Sequence, residues 1–180
     1  MKNFILTLTL VSLFAVSLSG QIYQPKNYSS ILEVGLGTGL YDDVSTQQFI
    51  LFLDTPYLSG NIDQLEYSGK VNFEVIGESH HNTFLIGFVP MLKYNFQFDD
   101  IIIFLKGGIG ANYINTNQVG SRNLGGNFIF SDMVGVGINI FQTSGYGIEI
   151  SYLFRHISNA GFYRDNEGYN SQYLLFSLHI

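Results

Sequence analysis

From residue 31 onward the chain alternates with a period of two, and large apolar side chains hold one phase in nearly every stretch. In residues 31–41, Leu32, Val34, Leu36 and Leu40 share one phase, and Glu33, Gly35, Gly37 and Gly39 share the other. In residues 84–98, Phe84, Ile86, Phe88, Leu92, Tyr94 and Phe96 alternate with Gly87, Met91, Lys93, Asn95 and Gln97. A period of two belongs to a strand, because successive side chains point to opposite faces of a sheet. Eight such stretches can be marked: 31–41, 49–54, 65–77, 84–98, 101–114, 127–141, 146–158 and 170–180. Polar or glycine-rich breaks separate them, as turns require.

The two phases differ in chemistry. One is Leu, Ile, Val, Phe and Tyr. The other carries glycine and most strand charges: Glu33, Glu66, Lys70, Glu74, Lys93, Lys106, Glu149 and Arg155. A water-soluble barrel turns its apolar phase inward and needs a charged exterior. Charged residues make up only 12% of this chain, about half the usual share. The inverse arrangement fits: apolar residues face lipid, and small and charged side chains fill a narrow interior, where acids and bases can pair. The expected fold is therefore all-β, an eight-stranded antiparallel transmembrane β-barrel of outer-membrane type, in a bacterial outer membrane. Eight is even, so both chain ends fall on the periplasmic side. The breaks near Asp99-Asp100 and Thr143-Ser144-Gly145 become tight periplasmic turns, and the polar segment 115–126 becomes an outer loop.

The first 20 residues read as a secretory signal peptide: a positive start at Lys2, an apolar run, then Ser17-Leu18-Ser19-Gly20 for cleavage. That leaves 21–180 as the barrel domain. There is no cysteine, which excludes disulfides and thiol chemistry. The net charge of −6 and the scattered 8 Lys and Arg exclude nucleic acid as a partner. Gly35-Leu36-Gly37-Thr38-Gly39 has the look of a phosphate loop, but no helical pattern follows, so it reads as small residues facing the interior. His80-His81 are adjacent on a strand end, point to opposite faces, and read as an exposed loop. His179 falls in the interior phase. No metal or cofactor is expected.

Chemistry collects in the last two stretches. Tyr146, Ile148, Ile150, Tyr152 and Phe154 are in the outward phase, and His156 and Ser158 continue it. Leu174, Phe176, Leu178 and Ile180 are outward in the final stretch, and Asn170 and Gln172 continue that phase. A His, a Ser and an Asn thus meet on the outer wall near its rim. Phase alone fits two readings: a polar interfacial rim, or a hydroxyl nucleophile activated by an imidazole base.

The run His156-x-Ser158-Asn159-Ala160-Gly161, followed by Asn166-x-Gly168 and an amphipathic last strand, resembles the signature of the lipid A 3-O-deacylase (PagL, acyloxyacyl hydrolase) family. The resemblance covers residues 152–180. It implies an eight-stranded barrel whose active site faces the membrane, hydrolysing an ester-linked acyl chain of lipid A at the 3-O position. By the same resemblance His156 is the general base and Ser158 the nucleophile, with no cofactor. The oxyanion would be held by the backbone at Ala160 and Gly161 and by Asn166, with Asn159 in support. The family orients its His with a Glu at the position that here is Asn170. Asn170 can accept from a ring N–H and hold the tautomer, but it carries no charge. Glu167 would serve as the acid if its loop folds back. Arg164, in the loop above, fits either a glucosamine phosphate or solvent. The partners implied are lipid A, lipopolysaccharide and outer-membrane lipids; a homodimer is left open. The alternative is a non-catalytic or degenerate small barrel with a structural or adhesive role.

Overall fold

The computed structural model describes residues 31–41, 46–55, 58–78, 81–99, 101–142 and 146–180. The signal peptide expected at 1–20, the lead-in to residue 30, Asp100, His80 and the turn at 143–145 lie outside these residues.

The chain forms eight long strands: β1 Ile31–Gly39, β2 Gln47–Asp54, β3 Leu65–Gly77, β4 Asn82–Phe98, β5 Ile101–Ile114, β6 Phe128–Gln142, β7 Gly147–Ser158 and β8 Tyr169–His179. Each expected stretch is a strand, moved by no more than two residues at either end. Every strand pairs antiparallel with its sequence neighbour. The ring closes where β1 meets β8, from Ile31 opposite His179 to Gly39 opposite Ser171. Closure matters physically, since an open sheet edge would leave backbone amides unpaired in hydrocarbon. The described residues contain no α-helix.

The outward phase is the one expected. Leu36, Ile86, Ile109, Val134 and Leu174 are exposed on the outer wall, whereas Glu33, Lys70, Glu74, Lys106, Glu149 and Arg155 are buried inside. An apolar surface that wraps the whole barrel is stable only against lipid.

The interior holds paired charges and apolar side chains. At the end of the barrel where β2 stops, Glu33 holds Lys70 at 2.6 Å and also pairs with Lys106, and Lys70 reaches Asp54 at 2.5 Å. Lys93 bridges Glu66 at 2.9 Å and Glu149 at 2.7 Å. Higher up, Arg155 pairs with Glu74, and the Tyr173 hydroxyl lies within hydrogen-bond reach of both Glu74 and Gln48, with one proton to give. The glycines of β1 make room for the large residues of β8: a Cβ at Gly37 would strike the Tyr173 ring, and one at Gly35 would strike Leu175. The interior is more apolar than small and charged residues alone would make it. One cluster gathers Ile50, Phe52, Val89, Met91, Met133, Leu153, Tyr173 and Leu175. A second closes the loop end with Ile76, Leu85, Ile114, Ile129, Ile157 and Tyr169, joined by Val119 and Leu124 from the loop after β5. The interior of an eight-stranded barrel is just wide enough for side chains to fill, and here they are of both kinds.

Val119 belongs to a small hairpin, Gln118–Val119 with Arg122–Asn123, which folds over the loop end. The segment 159–168 joins β7 to β8 beside it. The candidate site lies on the outer wall where these two strands reach this end.

Candidate active site

β7 places Ile157 inward and His156 and Ser158 outward, both half-buried. β8 pairs in register so that Asn170 lies opposite His156. His156 Nδ1 and Asn170 Oδ1 are 2.6 Å apart. A carbonyl oxygen only accepts, so Nδ1 carries the proton, and in the neutral ring Nε2 is then the nitrogen with the lone pair. That is the tautomer a general base needs.

Gly168 sits against this ring. It has φ +65, and a Cβ there would lie 2.6 Å from His156 Cε1 and 3.2 Å from Nε2. Only glycine allows the loop to pass so close to the imidazole in that backbone conformation. On the other side of Ser158, its register partner on β6 is Phe130. Phe130 stacks with Phe162 at 5.5 Å and meets Phe128 edge-on at 5.2 Å. The nucleophile candidate is thus bordered by an aromatic surface on the outer wall. The ring's own hydrogen bond runs to Asn170, and none joins it to Ser158 Oγ. Catalytic hydrogen bonds of this kind often tighten only in the complex with substrate.

The chain leaves β7 through a tight turn. Ala160 has φ +52, Gly161 has φ +86, and the Phe162 amide donates to the Asn159 carbonyl at 3.0 Å. Two consecutive positive φ values with that bond make a type I′ turn. Asn159 is fully buried and ties the turn to its surroundings. Its Nδ2 donates to the carbonyls of Leu124 (2.8 Å) and Asp165 (2.5 Å), and its Oδ1 accepts from the Gly161 amide at 2.8 Å. Asn166 Oδ1 accepts from the Asn159 amide at 3.0 Å, which turns Asn166 Nδ2 away as an available donor.

The expected constellation is therefore assembled unevenly. His156, Ser158 and Asn170 come together on the outer wall. Of the expected oxyanion donors, Asn166 is oriented with a donor to spare. The Gly161 amide is committed to Asn159 Oδ1 instead, because the Asn159 side chain folds back to cap the turn. Glu167 does not reach His156. Its carboxylate accepts from the Asn123 amide at 2.6 Å and its own amide donates to the Asn123 carbonyl at 3.0 Å, so it braces one outer loop on another. Arg164 is exposed in the same loop. Asp132, which sequence reading passed over, lies opposite His156 on β6 and is exposed on the outer wall. Its outward phase among apolar neighbours was the available signal.

The family model described as lipid A 3-O-deacylase (PagL) matches residues 49–179. The chain belongs to the PagL family. It is similar to the lipid A deacylase PagL of Pseudomonas aeruginosa, 32% identical over 95 residues, which are 53% of this chain and 53% of that one. The match thus spans about half the length of that curated relative. Among solved structures, the outer membrane enzyme PagL superposes with a TM-score of 0.63 at 23% identity, over 82% of this chain and 97% of its own. Neisserial surface protein A (NspA) superposes with a TM-score of 0.53 at 11% identity, over 84% of this chain and 94% of its own. These two likenesses concern the fold. The strand alternation pointed to the outer-membrane barrel, and the β7–β8 motif to the PagL family.

Proposed function

We propose that this chain is an ester hydrolase of the outer membrane that removes an acyl chain from lipid A, at the 3-O position, with Ser158 as nucleophile and His156 as base. The observation that carries the reading is the 2.6 Å contact of His156 Nδ1 with Asn170 Oδ1. It leaves Nε2 basic on the same outward face as the Ser158 hydroxyl. A site on the outer wall suits a substrate whose acyl chains stay in the bilayer.

In this reading Ser158 Oγ gives its proton to His156 Nε2 and attacks the ester carbonyl. Negative charge builds on the carbonyl oxygen, and Asn166 Nδ2 with the Ala160 amide stabilises it. The imidazolium then protonates the departing sugar hydroxyl. Water, deprotonated by the same imidazole, releases the fatty acid from Ser158 and restores both groups. The Phe128, Phe130 and Phe162 surface would lie along the acyl chain, and Arg164 on the sugar side can meet a phosphate.

The decisive experiment is mass spectrometry of lipid A from cells expressing the protein. Wild type should remove one ester-linked acyl chain, and Ser158→Ala and His156→Ala should each abolish its loss while still yielding folded barrels. Identical lipid A from all three would end the enzymatic reading. It would favour a barrel that has lost turnover, the reading that Asn170 in the place of the family's Glu supports.

A further inference from the structure

In the outward phase of β6, Phe128, Phe130, Val134, Val136, Ile138 and Ile140 are apolar; Asp132 interrupts them. Among the described residues of the eight long strands it is the one carboxylate on the outer wall. Every other strand acid, Glu33, Asp54, Glu66, Glu74 and Glu149, is turned inward to a lysine or arginine. An ionisable group on a lipid-facing wall is costly enough to call for a function. Its neighbour across β5 is Ile109, which offers nothing polar. Its neighbour across β7 is His156. Directly opposed residues on antiparallel strands have Cβ atoms about 4.5–5.5 Å apart.

His156 is thus flanked on both sides at one level of the barrel. Asn170 on β8 holds Nδ1 but is neutral. Glu167 is occupied with the backbone of Asn123. Gly168 covers the ring and contributes no charge. This leaves Asp132 as the carboxylate beside the imidazole. We infer that Asp132 is a positioning residue that supplies, from β6, the negative charge Asn170 lacks, and so holds the imidazolium formed when Ser158 gives up its proton. The inference rests on the esterase reading above. It divides between two strands the work of a single acid: Asn170 sets the tautomer, and Asp132 balances the charge. A field acting from a neighbouring strand at the edge of hydrocarbon is weakly screened, so it needs no hydrogen bond to act.

The test uses the mature protein in detergent with lipopolysaccharide, following fatty-acid release, with heat-modifiable gel migration to verify each barrel. Wild type should turn over and Ser158→Ala should not. Asp132→Asn and Asp132→Leu, the second being a side chain the lipid wall accepts, should each lower kcat by roughly 10- to 100-fold with little change in KM. Adding Asn170→Glu to Asp132→Asn should recover most of the loss, because the charge returns from the other side. Unchanged kcat in either single variant would overturn the inference while leaving the esterase intact. So would a rise in KM alone, which would make Asp132 a substrate contact, or a failure of Asn170→Glu to restore turnover. No release by wild type would overturn the inference and the esterase reading together.

Discussion

The imidazole of His156 is held by its immediate neighbours, and each contact can be tested at the level of one side chain. Asn170 fixes which nitrogen is protonated, and Gly168 fixes where the other nitrogen points. Gly168→Ala would place a methyl 2.6 Å from His156 Cε1, at a φ of +65 that alanine adopts reluctantly. We expect kcat to fall at least about 10-fold, in line with the sensitivity of proton transfer to misplacement of the reacting groups, while the barrel still folds. Fatty-acid release measured beside gel migration separates the two effects. The motif Asn166-x-Gly168 was visible in the chain. That its glycine rests on the imidazole was not, because the contact depends on how the loop returns over β7.

At the scale of the element, the β7–β8 connection is more rigid than a surface loop of its length suggests. The type I′ turn is capped by Asn159, whose buried amide also binds carbonyls of Leu124 and Asp165. One side chain thereby joins the turn after Ser158, the return to β8 and the loop after β5. Asn159→Ala would leave the buried Leu124 carbonyl without its partner and release the part-buried Asp165 carbonyl and Gly161 amide. We expect a loss of about 1–3 kcal/mol, the cost of one unsatisfied buried group. Urea unfolding in detergent micelles measures it. Fatty-acid release should fall as well, because a loosened turn moves the main-chain N–H of residue 159 that orients Asn166.

Across the whole molecule, membrane insertion and internal packing make opposite demands that alternation satisfies together. The outer wall of the described strands is apolar apart from the polar rim that includes Asp132, His156 and Ser158, and the other strand acids are paired inside. The Arg155–Glu74 pair lies deepest, both side chains at 1% exposure. Glu74→Leu would strand a guanidinium in the interior and should cost about 3–5 kcal/mol. Glu74→Leu combined with Arg155→Met should recover most of that, since two well-packed apolar residues replace two desolvated charges. Denaturant midpoints of the folded barrels in detergent provide the comparison. A double variant as unstable as the single would show that the pair organises its neighbours, Tyr173 and Asn112, rather than merely neutralising itself.

The alternation from residue 31 onward was enough to define the eight strands, their facing and the barrel's outward greasy wall, because strand phase is a local property with a fixed period. It also put His156, Ser158 and Asn170 on that wall, since each continues the phase of the apolar residues in its own strand. Which partners the loop and rim groups take was decided only by the folded backbone. Glu167 went to Asn123 across two loops, the Gly161 amide to Asn159 within the turn, and the register of β6 against β7 set Asp132 beside His156. Hydrogen bonds across loops depend on the path of the backbone in space, and a strand's phase says which way a side chain points without saying which strand stands next to it.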